Sequence, residues 1–120
     1  MILELLTKIL FFGGIEAGVA FTFSAAEGAP NNPVSWSPCL RRDLRDDKDF
    51  IVAHRTLPCK SKVYVYNLDN GRGVVATIGD RGPYGKTRGK YRGIIDMAPL
   101  VNKALKAKGR ANVLLFSGVK

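Results

Sequence analysis

The sequence predicts a mainly β protein, a small β-barrel with one short α-helix, and three stretches carry that prediction. Lys62-Val63-Tyr64-Val65-Tyr66-Asn67-Leu68 alternates with a period of two and is rich in β-branched and aromatic residues, the pattern of a half-buried strand. Asp69-Asn70-Gly71 follows. Asn-Gly adopts positive φ readily, so the chain turns into a returning strand, Arg72 to Ile78, with Val74, Val75 and Ile78 for the core. Leu100, Val101, Ala104 and Leu105 then recur with a helical period. A chain of 120 residues, 46% of them hydrophobic, allows one domain with a modest core.

Taken in order, Met1 to Ala26 is apolar and ends in Ser24-Ala25-Ala26, small residues that resemble an export cleavage site. Ile9-Leu10-Phe11-Phe12 opens its hydrophobic region. Glu16 interrupts the apolar run, and a carboxylate is costly in lipid, so no stable membrane span is expected. Residues 1–26 therefore read as a signal peptide or as a hydrophobic helix packed on the domain. Residues 27–49 read as a linker and variable charged loop. Pro30, Pro33 and Pro38 break it, Val34-Ser35-Trp36 suggests a short first strand, and Arg41 to Asp49 mixes charges of both signs in the manner of a solvated loop. The barrel is assigned to residues 50–120. Gly79-Asp80-Arg81-Gly82-Pro83 ends its second strand sharply. Tyr84 to Gly93 reads as a basic loop, and Ile94-Ile95-Asp96-Met97 as a brief strand. Pro99 suits a first helical position. Lys103, Lys106 and Lys108 complement the negative end of that helix, Gly109 is its natural stop, and Ala111 to Phe116 is the last strand.

Lys and Arg number 19 against 10 Asp and Glu, a net charge of +9. Residues 1–26 hold only Glu4, Lys8 and Glu16, so the positive excess lies in the rest. Such a surface favours an anionic polymer, whether nucleic acid, acidic glycan or anionic membrane, or it serves solubility alone. Cys39 and Cys59 form no Cys-x-x-Cys motif and no Cys/His cluster, so no metal and no cofactor are expected. Paired, they would contribute on the order of 3 kcal/mol and imply an oxidising compartment. Two separate thiols are the alternative.

Ala53-His54-Arg55-Thr56-Leu57-Pro58, Asn67-Leu68-Asp69-Asn70-Gly71-Arg72, Asp80-Arg81-Gly82-Pro83 and Ile94-Ile95-Asp96 together resemble the double-psi β-barrel of rare lipoprotein A, a family of septal-ring lytic transglycosylases. The match covers about residues 50–116. It implies a six-stranded double-psi barrel with one helix, preceded here by the N-terminal hydrophobic segment. It also implies an exported protein acting on peptidoglycan glycan strands. The family cleaves the β-1,4 bond between N-acetylmuramic acid and N-acetylglucosamine and leaves a 1,6-anhydro end. Its active-site His falls on His54, its Asp on Asp80, and its Glu on Asp43, which is one methylene shorter. The family's upstream Tyr-Gly strand and Gly-Glu turn are not recognisable, and Gly79 stands where Asn is usual. Asp96-Met97 resembles the Asp-Leu pair of more distant double-psi barrels, the expansins and family-45 endoglucanases, in which that Asp is the general acid.

The chemistry asks for a proton on the leaving oxygen and charge stabilisation at the anomeric carbon. Asp80 is the expected acid/base carboxylate, His54 the orienting or relaying group, Asp43 a third polar member and Asp96 a further candidate. Arg81 beside Asp80 counts against a proton donor there, since a cation lowers a carboxyl pKa, unless it points elsewhere. Arg81, Lys86, Arg88 and Arg92 are candidates for acidic wall polymer, and Tyr84 and Tyr91 for stacking on sugars. Each has a plainer reading: Asp80 as a turn cap, His54 as a hydrogen-bonded structural residue, Asp96 as a partner of Arg81 or Arg92, the basic loop as a soluble face. A non-catalytic, expansin-like wall-binding module is the alternative function. Nucleic acid is not the expected partner, since no motif supports it, and the protein is expected to be a monomer.

Overall fold

The computed structural model describes residues 14–23 and 36–119. The chain runs β1 (Ile15–Thr22), β2 (Trp36–Ser37), β3 (Arg42–Asp43), β4 (Ile51–Ala53), β5 (Lys62–Asn67), β6 (Gly73–Asp80), β7 (Lys86–Thr87), β8 (Lys90–Tyr91), β9 (Ile95–Met97), α1 (Pro99–Leu105) and β10 (Arg110–Ser117). Six strands close into a barrel in the order β1-β10-β5-β6-β4-β9, and β2–β3 and β7–β8 form two separate ribbons. Two of the barrel pairings, β1–β9 and β4–β6, are parallel. Alternation supplies the core: Ala20, Val52, Val63, Val65, Ile78, Ile95, Met97, Val113 and Leu115 point inward and are buried.

The β5–β6 hairpin forms where the Asn-Gly turn was expected, with Gly71 at φ +78°. The turn also serves the helix. Asn67, fully buried, donates from Nδ2 to the Leu105 carbonyl at 3.0 Å, and Asn70 donates to the same oxygen at 2.9 Å. Pro99 does open α1, and Val101 and Leu105 are its buried residues. Its stop differs from expectation. The helix ends at Leu105, and Lys106 rather than Gly109 takes the left-handed cap, at φ 49° and ψ 49°. Gly109 is held instead by Asn102, whose Oδ1 accepts its N–H at 2.8 Å.

The largest correction concerns the N-terminal segment. Ile15–Thr22 forms not a helix but β1, the strand that closes the barrel between β10 and β9. Its inward positions are small or polar rather than large. Gly18 lies so close to Ile94 that an added Cβ would sit 2.5 Å from its Cγ2, Ala20 is buried, and Glu16 meets His54. The apolar run thus satisfies a tight strand contact. Residues 1–13 and 24–26, with the expected cleavage site, lie outside the described residues. At the far edge, the Gly14 N–H donates to Ser117 Oγ at 3.1 Å and the Ser117 N–H to the Gly14 carbonyl at 3.0 Å.

Arg41, Arg42, Asp43, Arg45, Asp47 and Lys48 are exposed, and the segment that carries them is held by ordered contacts. Trp36–Ser37 pairs with Arg42–Asp43, and the strand suggested at Val34-Ser35-Trp36 is shifted, with residues 34 and 35 outside the described set. Arg42 forks onto Asp49 at 2.7 and 3.0 Å, and Asp49 also accepts the Arg45 N–H at 2.6 Å. These bonds hold the Asp49 carboxyl below its usual range, the Arg42 hydrogen bond first, against the effect of burial. Cys39 is disulfide-bonded to Cys59 with the Cα atoms 5.0 Å apart. Leu44 packs on Ile51 and Ala98, so this segment covers the outer face of β4. The Tyr84 to Gly93 loop likewise holds a ribbon, with Arg88 and Gly89 at φ +53° and +78° making the tight turn between β7 and β8.

Candidate active site

Strand pairing sets four residues side by side. Phe21 of β1 pairs with Asp96 of β9, Asp96 with Ala53 of β4, and Ala53 with Asp80 of β6. Asp96 must face outward, because Ile95 and Met97 on either side are core residues. Asp80 reaches the same row through a register shift between Val52 and Ala53. Gly79 permits that shift, since a Cβ there would lie 2.6 Å from Ile51 Cγ2, and its carbonyl accepts the Ser37 hydroxyl. Asp80 and Asp96 are thus two strand spacings apart, roughly 10 Å between backbones, with the small, buried Ala53 between them.

Both carboxyls are half-buried, and both are pushed toward the protonated form. Burial raises Asp80 despite the opposing pull of the Arg81 backbone N–H and charge. Asp96 is pushed up to about 6, first by burial, then by the like charge of Asp80, with Arg55 pulling the other way. Asp96 thus feels both its burial and the negative charge of Asp80 across Ala53. Asp96 opens into a pocket of about 430 Å³ lined also by Phe21, Pro83, Tyr84, Gly85, Arg92 and Gly93. Phe21 and Tyr84 offer the apolar faces of that pocket, and Arg92 a cation.

His54 lies one residue beyond Ala53, and its backbone N–H donates to the Asp80 carbonyl at 3.1 Å. Its ring is buried and engaged on both sides. Nδ1 accepts the Thr56 and Leu57 N–H groups at 3.1 and 3.0 Å. Nε2 lies 2.9 Å from Glu16 Oε1. Arg81 turns away from Asp80. It donates to the His54 and Leu57 carbonyls at 3.2 and 2.6 Å and to Cys59 Sγ at 3.1 Å. That placement corrects its expected role in substrate binding: its donors hold the loop. Arg55 was not singled out by sequence reasoning. It donates to the Pro83 and Gly93 carbonyls at 2.7 and 2.8 Å, lies 3.9 Å from the centre of the Tyr91 ring, and acts on Asp96. Lys86 approaches the same ring at 4.7 Å, so the exposed Tyr91 meets two cations. Lys86, Arg88 and Lys90 are exposed on the β7–β8 ribbon. Asp43 is exposed on β3, opposite Trp36; the charge that bears on Asp80 is that of Arg81, and those that bear on Asp96 are Asp80 and Arg55. Among the described residues, no group of three or more His, Cys, Asp or Glu is placed to hold a metal ion.

No family model matches the chain. Individual proteins do. It is 49% identical over 73 residues to the endolytic peptidoglycan transglycosylase RlpA of Escherichia coli K12, a match covering 61% of this chain and 18% of that protein. It is 33% identical over 81 residues to a probable endolytic peptidoglycan transglycosylase RlpA of Nostoc, covering 68% and 19%. The chain spans less than a fifth of either relative. Among solved structures, a Streptomyces papain inhibitor superposes with a TM-score of 0.59 at 16% identity over 88% of this chain and 94% of that one, a likeness of fold. The barrel is an RlpA-like double-psi domain. Within this RlpA-like domain strand register sets Asp80 and Asp96 on either side of Ala53, with Asp96 alone of the two lining the pocket; the His54 ring meets Glu16 of β1, and Asp43 lies on the β2–β3 ribbon. Glu16 and Arg55 are the site-associated residues that sequence reasoning missed. The signal for Glu16 was its own misfit, a carboxylate in the middle of an apolar run. Arg55 stands next to His54 in the first of the four motifs.

Proposed function

We propose that the domain cleaves peptidoglycan glycan strands as a lytic transglycosylase, acting on the β-1,4 bond between N-acetylmuramic acid and N-acetylglucosamine. The observation that carries this reading is Asp96, its carboxyl pushed up to about 6 by burial and by Asp80, lining a pocket that Phe21 and Tyr84 also line. The names of the relatives support it. In this mechanism Asp96 gives its proton to the glycosidic oxygen as the bond from the anomeric carbon to that oxygen breaks. Asp80, when ionised, offsets the positive charge developing at the sugar. The 6-hydroxyl of the same muramyl residue attacks the anomeric carbon, and its proton returns to Asp96. No water is consumed, and the product is a 1,6-anhydro end. Phe21 and Tyr84 would bound the sugar, and Arg92 would meet an acidic substituent. The Cys39–Cys59 bond fits an oxidising location such as the periplasm, cell envelope or exterior.

A second reading, wall binding without cleavage, is favoured by one observation: both ring nitrogens of His54 are already engaged. Mass spectrometry of peptide-stripped glycan strands separates the two. Release of anhydro-ended products by the full chain, lost in Asp96→Asn, is the expected result. Retention on sacculi without any anhydro product selects the binding module.

A further inference from the structure

We propose that Glu16 is the acidic partner of His54, a positioning residue that makes β1 part of the active site; its effect on activity rests on the glycan-cleaving reading above, and its structural content on geometry alone. Two backbone N–H groups point at Nδ1, from Thr56 at 3.1 Å and Leu57 at 3.0 Å. That nitrogen therefore accepts, and the ring proton sits on Nε2. Nε2 donates it to Glu16 Oε1 at 2.9 Å. A carboxylate at Nε2 and N–H donors at Nδ1 select the same tautomer, so the two contacts reinforce each other. With both nitrogens filled, the ring has no position left for Asp43.

The His54 side chain is 7% exposed and that of Glu16 42%. The ring is thus the fixed member, and the carboxylate looks out into a pocket of about 280 Å³ that Leu57 and Ser117 also line. What the ring fixes is the turn of residues 54–57. Its carbonyls at His54 and Leu57 receive Arg81, and it carries Arg55, which acts on Asp96. Without the Glu16 carboxylate, Nε2–H would lose its acceptor among the described residues. The ring would turn to find a partner and release the Thr56 and Leu57 N–H groups, and Arg55 would lose its setting beside the catalytic pair.

His54 is the chain's one histidine, so nitrogen-15 NMR of the full chain gives a single unambiguous ring. The wild type should show bare Nδ1 and protonated Nε2. Glu16→Gln keeps an accepting oxygen and should keep the tautomer and kcat to within about twofold. Glu16→Leu should lose the tautomer signature and lower kcat on glycan strands by roughly tenfold, as loss of an orienting partner typically does, with KM little changed. Asp43→Asn should leave the ring signals where they are. A wild-type ring protonated on Nδ1, signals that follow Asp43 rather than Glu16, or a Gln variant that behaves like the Leu variant would overturn the proposal. If Glu16→Leu does not fold, the wild-type and Gln spectra still decide. If the wild type releases no anhydro products, the glycan-cleaving reading fails while the spectra continue to test the pairing.

Discussion

One alanine separates Asp80 from Asp96, and Asp96 feels the charge of Asp80 across it. Asp96 sits at about 6 against 3.8 for a free side chain. The folded state therefore binds more protons than the unfolded one between those values. Stability from protonated Asp96 is full below the lower value and is lost as pH rises through the upper one. Asp96→Asn, neutral throughout, should melt higher than wild type at neutral pH, and the gap should close as pH falls toward about 4; thermal melts across pH read this directly. The same variant should lose at least about a hundredfold in product release. Asp80→Asn removes the like charge that raises Asp96, so the pH at which activity fails on the alkaline side should move down; a pH–rate profile of residual activity checks it. Asp80 was singled out from the resemblance and from its place at a strand-to-loop boundary, and Asp96 from a resemblance to more distant barrels; their adjacency was not legible, because it depends on the pairing of both strands with Ala53 of β4. Arg81 was misread because its sequence neighbour is Asp80, whereas its donors reach loop carbonyls far back in the chain. Sequence adjacency says nothing of direction.

At the scale of elements, the β5–β6 hairpin and α1 were legible because their causes are local: an Asn-Gly turn, a period of two, a proline at the first helical position. β4 was not, because three residues buried on both faces show no alternation. β1 was not, because Gly18 and Glu16 answer to Ile94 and His54, distant partners that composition cannot reveal. Its role makes a strong prediction. A fragment of residues 27–120 lacks the strand between β9 and β10, so it should not show the cooperative thermal unfolding of the full chain by circular dichroism. Lys106 offers a milder test. Held at φ 49°, it carries a left-handed penalty that glycine would not, so Lys106→Gly should stabilise the fold by about 1 kcal/mol in urea unfolding.

At the scale of the whole molecule, the barrel supplies rigidity and the attached segments supply the site's cover. The disulfide joins the two, Cys39 on the β2–β3 ribbon and Cys59 at the end of the His54 loop. Replacing both cysteines with serine should lower stability by roughly 3 kcal/mol, measured by denaturant unfolding, and should loosen the cover of β4 more than the barrel. The double-psi closure was expected from the resemblance of spaced motifs; the path of the covering segment was not, because its order comes from an ion pair, a disulfide and a hydroxyl-to-carbonyl contact rather than from any periodicity. One further property follows from the two bonds between Gly14 and Ser117. The path into the barrel and the path out of it meet at a single point. A barrel cut to residues 14–117 can thus be spliced into a surface loop of a host domain without stretching the host, and it should tolerate circular permutation with Gly14 and Ser117 joined and new ends cut at the Arg88-Gly89 turn.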